Sequence, residues 1–129
     1  MSTAIPPGTN VTVLVGTLGR APEVRQLPSG DRVLGLEVTI RPVGAAAESV
    51  PIAWYDPPDP AVLWIAGEEV LVVGRTRRRF FRSGGVTQSR TEVVATAVVP
   101  TRRAAAARKA LVGALDQLDG VALREPSPR

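Results

Sequence analysis

The chain has 129 residues, of which 44% are hydrophobic and 22% charged, and its net charge is +4. That length suits one compact core and is too short for two, and the composition is globular rather than disordered or membrane-embedded. With no cysteine and no histidine, it lacks disulfides, thiolate metal sites, the usual zinc ligands, the commonest general base and both standard nucleophile triads.

Carboxylates, Lys109 and hydroxyls remain for chemistry, and none stands in a catalytic motif. Asp56 and Asp59 lie in Trp54-Tyr55-Asp56-Pro57-Pro58-Asp59-Pro60, where a turn and a helix cap account for both. The expectation is a protein without enzymatic activity, cofactor or metal. Apolar runs such as residues 11–15 and 61–66 are too short to span a bilayer, and residues 1–9 have neither the basic start nor the apolar core of a secretory signal. A cytoplasmic location is therefore expected.

Residues 10–18 alternate β-branched and small side chains, the two-residue period of a strand, and Gly16 within them suggests a bend or bulge. Residues 22–27 lead into the turn formers Pro28-Ser29-Gly30-Asp31, after which Leu34, Leu36, Val38 and Ile40 recur on one side of residues 32–41. This predicts a hairpin with one buried face. Residues 42–49 are small and read as a flexible loop, and residues 50–55 are a third short strand ended by two prolines. Asp59 as N-cap, Pro60 at the first helical position and Gly67 past the end predict a turn or two of helix that contains Trp64. Residues 69–81 form a long fourth strand, residues 82–89 a hairpin loop and residues 90–100 a fifth strand. Residues 102–118 are alanine-rich with Leu111, Leu115 and Leu118 at helical spacing, which predicts a C-terminal amphipathic helix.

The element order predicts an all-β OB-fold: a five-stranded barrel over residues 1–100, with a short helix between strands 3 and 4, then a C-terminal helix and short tail over residues 101–129. Such barrels often hold oligonucleotides or oligosaccharides, but the fold does not by itself decide function.

The sharpest functional signal is the fourth strand and its hairpin. Residues 70–91 hold Arg75, Arg77, Arg78, Arg79, Arg82 and Arg90 and no acidic residue, with Phe80 and Phe81 among them. Guanidinium groups neutralise phosphates and release counterions, while an aromatic face stacks on any base. The competing explanation is a charged edge that deters sheet-to-sheet pairing, with Phe80 capping the core. Such an edge needs one or two charges, not six of one sign. Phe80 and Phe81 point to opposite faces as strand neighbours. Trp54, at a strand end, suits core or platform equally, whereas Trp64 beside Val62, Leu63 and Ile65 reads as core.

The stretch Asn10-Val11-Thr12-Val13-Leu14-Val15-Gly16-Thr17-Leu18-Gly19-Arg20-Ala21-Pro22-Glu23-Val24-Arg25, followed by Pro28-Ser29-Gly30-Asp31, resembles the opening of bacterial single-stranded DNA-binding proteins. Trp54, Gly67-Glu68-Glu69-Val70, Val73-Gly74-Arg75-Thr76-Arg77 and Arg90-Thr91-Glu92-Val93-Val94 then fall in that family's order. The resemblance covers about residues 10–99 and lies in the combination, not in any single piece. It implies that Trp54 and Phe81 stack on bases, with Phe81 the exposed phenylalanine. It also implies that Arg77 and Arg79 meet phosphates and that the chain forms a homo-oligomer, dimer or tetramer.

The departures are equally specific. Pro60 stands where an aromatic platform is expected, residues 41–44 lack another, and Leu123-Arg124-Glu125-Pro126-Ser127-Pro128-Arg129 lacks the acidic, hydrophobic tip of the family's tail. The resemblance therefore implies a divergent paralogue. The expected function is sequence-tolerant single-stranded DNA binding in replication, recombination or repair, through Trp54, Phe81, Arg75, Arg77, Arg79, Arg82 and Arg90. The alternative is an OB-fold subunit that binds a protein partner and has little affinity for DNA; the hairpin favours the first, the missing tip and platform the second.

Overall fold

Extended segments of alternating character dominate the computed structural model, which describes residue 5 and residues 7–123. Among these, six strands form: β1 (Thr12–Leu18), β2 (Glu23–Gln26), β3 (Arg32–Ile40), β4 (Glu48–Tyr55), β5 (Glu69–Ser83) and β6 (Val86–Pro100). A 3₁₀ turn at Asp59–Leu63 separates β4 from β5, and α1 (Ala104–Leu123) follows β6. The protein is thus mostly β with one C-terminal helix. No helix among the described residues is long and apolar enough to cross a membrane.

The strands lie in the order β1-β5-β6-β4-β3-β2, and β1 also pairs with β3 through Thr17/Thr39 and Leu18/Val38. Every pairing is antiparallel except β4 with β6. One face of the sheet carries the core, in which Leu34, Val38, Val70 and Val72 are fully buried beside Leu36, Ile52, Val93 and Val98. Each such side chain contributes about 1.5–3 kcal/mol on leaving water, so this cluster holds the sheet together. The Leu34, Leu36, Val38 stripe points inward as its period requires.

The structure departs from the sequence reading in several places. Residues 23–26 are a strand of their own, paired with β3 from Glu23/Gly35 to Gln26/Arg32, which makes six strands rather than five. The eight-residue hairpin loop shrinks to a tight turn, because Gly84 and Gly85 sit at φ 62° and 83° and Ser83 pairs with Val86. Two consecutive positive φ angles match the right-handed twist of a hairpin, which lets β5 and β6 each run for 15 residues. Gly16 makes no bulge: its register with β5 is continuous, and an added Cβ would strike the Thr39 carbonyl, so the glycine serves close approach of β3. Asp59 caps nothing; it accepts a 3.3 Å hydrogen bond from Arg32 Nη1, and Pro58 is the N-cap residue. Trp64 sits at the C-cap of the turn, half-buried against the core.

Candidate nucleic-acid interface

Beyond a register shift between Val73 and Gly74, the paired strands β5 and β6 continue from Arg75/Val94 to Ser83/Val86 as an arm. Alternation puts Arg75, Arg77, Arg79 and Phe81 on one face and Arg78, Phe80 and Arg82 on the other.

The first face is built on Glu92. Its side chain is the only buried charged one among the described residues, 3% exposed, and it is the register partner of Arg77. Arg77 Nε donates to Glu92 Oε2 at 3.1 Å, and Nη2 donates to the same oxygen and to Tyr55 Oη at 3.2 Å. The guanidinium carbon also lies 5.9 Å from the centre of the Tyr55 ring. A buried carboxylate is tolerated only when it is paired in this way. The bonds to Glu92 first, and to Tyr55 second, hold the Arg77 pKa above the usual arginine range. Arg79 approaches Glu92 Oε1 more loosely, at 3.8 Å, and its guanidinium sits 5.8 Å over the Phe81 ring.

The arginine run is therefore less one-sided than residues 70–91 suggest, because the compensating acid is residue 92, just past the stretch without acids and directly across the ladder. Arg77 is committed to it. On the other face Arg78 donates to Ser89 Oγ at 3.0 Å and Arg82 to the Gly85 carbonyl at 2.8 Å, neutral acceptors that leave both charges uncompensated. Arg75 and Arg90 are exposed and make no ion pair among the described residues.

The aromatic side chains are arranged differently from the implied roles. Phe80 is the open phenylalanine, 66% exposed, while Phe81 is half-buried under Arg79. Trp54 is 7% exposed, belongs to the core cluster and stacks on Trp64 with ring centres 6.0 Å apart. Its faces are occupied by protein in this conformation. The next residue on β4, Tyr55, points outward as strand alternation requires and is the aromatic that reaches the arm.

A groove of about 280 Å³ runs between β2 and the arm. Arg20 and Arg25 line it on one side, Arg79 and Arg90 on the other, with Glu23 and Glu92 also present and Gly35 and Ala53 between. Sequence reasoning passed over Tyr55 and Glu92 as site residues and left Arg20 and Arg25 as parts of a resemblance; their signal was alternation on β4, the acid opposite Arg77 and the basic residues before and within β2. No protein-family model matches the sequence, and no curated protein matches it.

Proposed function

We propose that this protein is an OB-fold module that holds single-stranded DNA without sequence preference, in replication, recombination or repair, and works as a homo-oligomer. The carrying observation is the arm, where Arg75, Arg78, Arg82 and Arg90 face no carboxylate partner among the described residues and the ring of Phe80 is exposed. Free guanidinium groups and an open aromatic face are the two features that sequence-tolerant strand binding requires. Support for the barrel comes from the pairings, which pass β1-β5-β6-β4-β3 and return to β1 through Thr17/Thr39 and Leu18/Val38.

With Trp54 packed in the core, electrostatics take the larger share of binding and Phe80 supplies stacking. Anisotropy titration of labelled oligo-dT at several salt concentrations tests the reading. Contact with four to six phosphates gives a log–log slope of about −3 to −4 on the single-strand scaling. No binding at low salt, or a slope near zero, favours the second reading, a subunit that binds protein. That reading draws on one observation, an apolar cleft of about 380 Å³ between β1 and α1 lined by Val11, Val13, Leu111, Ala114, Leu115 and Leu118.

A further inference from the structure

We propose that the groove between β2 and the β5–β6 arm is a seat for the sugar–phosphate backbone of a single strand, one that takes phosphates and leaves the bases unread; this rests on the nucleic-acid reading above. Guanidinium groups converge on it from elements far apart in sequence: Arg20 and Arg25 from the β1–β2 side, Arg79 and Arg90 from the arm. Arg79 and Arg90 are register partners, so the groove opens onto the middle of the arm on the face that also carries Arg75, while Arg78, Phe80 and Arg82 lie around the arm's edge on its other face.

Its floor is made of the smallest side chains. Gly35 and Ala53 are paired across β3 and β4, so nothing larger than a methyl group rises at that point, and the other apolar residues that line the groove, Val33, Leu36 and Ile52, are buried. No aromatic side chain lines the groove among the described residues. Tyr55 lies under Arg77, and Trp54 is in the core. The groove therefore offers planar, multidentate donors suited to phosphate and no surface on which a base can stack. Two carboxylates stand against the four guanidiniums, and Glu92 is held chiefly by Arg77, with Arg79 in a looser contact at 3.8 Å. Arg20 meets Glu37 only in an exposed contact at 3.8 Å, which a phosphate can displace.

The test uses two labelled oligomers of equal length, oligo-dT and an abasic deoxyribose-phosphate chain, with three folded proteins: wild type, Arg20→Ala/Arg25→Ala and Gly35→Val. Both arginines are exposed, and a Cβ on Gly35 would have the Glu23 carbonyl at 3.6 Å as its nearest neighbour, so valine fits the strand while filling the groove. Thermal unfolding verifies that each variant folds. The double arginine variant is expected to lower the salt slope by up to about 1.4, two phosphates on the single-strand scaling, and equally for both oligomers. Gly35→Val is expected to weaken both by about tenfold at low salt, the loss of one charge-assisted contact. If wild type binds oligo-dT while both variants keep its affinity and slope, the groove is not the seat and the DNA reading stands. A loss confined to oligo-dT overturns the claim that bases go unread. Failure of wild type to bind either oligomer removes the DNA reading itself, and this inference with it.

Discussion

Arg77 stands opposite Glu92 in the β5–β6 ladder, and its guanidinium donates twice to one carboxylate oxygen and once to the Tyr55 hydroxyl. The pair joins the arm to β4 and makes Arg77 part of the architecture. Arg77→Ala leaves a buried carboxylate without its partner, at a cost on the order of 3 kcal/mol in urea unfolding. Arg77→Ala/Glu92→Gln is expected to recover part of that loss, because a neutral amide is cheaper to bury. Since Arg77 is held above the usual arginine range, its contribution is complete below the ordinary arginine pKa and is lost only as pH rises through the higher folded value. Ionisation of Arg77 should therefore leave stability unchanged between about pH 5 and 9. Wild-type stability in Arg77→Ala would show that Glu92 finds another partner.

Arg78 and Arg82 bond to neutral oxygens, so their charges remain available to a polyanion. Arg78→Ala/Arg82→Ala is expected to reduce the salt slope for oligo-dT by up to about 1.4, two phosphates on the single-strand scaling. Arg77→Gln should leave the slope near the wild-type value. The reverse pattern would confine the strand to the groove on the Glu92 face of the arm and remove Arg78 and Arg82 from its path.

Phe80 and Trp54 separate stacking from packing. Phe80→Ala removes an open ring and should weaken oligo-dT binding by about 1–3 kcal/mol. Its folding stability should stay within about 0.5 kcal/mol of wild type, as for most exposed positions. Trp54→Ala removes a core side chain that stacks on Trp64, and is expected to lower stability by about 3–5 kcal/mol. Paired unfolding and titration experiments distinguish the two effects, and a stable Trp54→Ala with much weakened binding would return Trp54 to the role of platform.

The strip formed by Val13, Val15, Leu111 and Leu115 leaves apolar side chains 41–59% exposed on neighbouring parts of β1 and α1. Sedimentation velocity is expected to show a homo-oligomer that Leu111→Glu/Leu115→Glu dissociates, since two charges cannot be buried in an apolar contact without partners. An unchanged sedimentation coefficient would move the interface elsewhere, and a monomeric wild type would remove it.

Local periodicity determined much of this protein by itself. The Leu34, Leu36, Val38 alternation set the buried face of β3, alanine with Leu111 and Leu115 marked α1, and the run from Arg75 to Arg82 marked the arm, because each depends only on neighbours along the chain. Only the tertiary structure decided what the arm's charges do. Whether Glu92 meets Arg77 depends on a register set by the Gly84-Gly85 turn, and slipping it by one residue would put the two on opposite faces. Whether Trp54 is core or platform depends on which face of β4 the other strands cover, which no single strand specifies. The groove gathers Arg20, Arg25, Gly35, Ala53, Arg79 and Arg90 from five strands and a connecting segment, and such a site exists only once long-range pairing has brought those segments side by side.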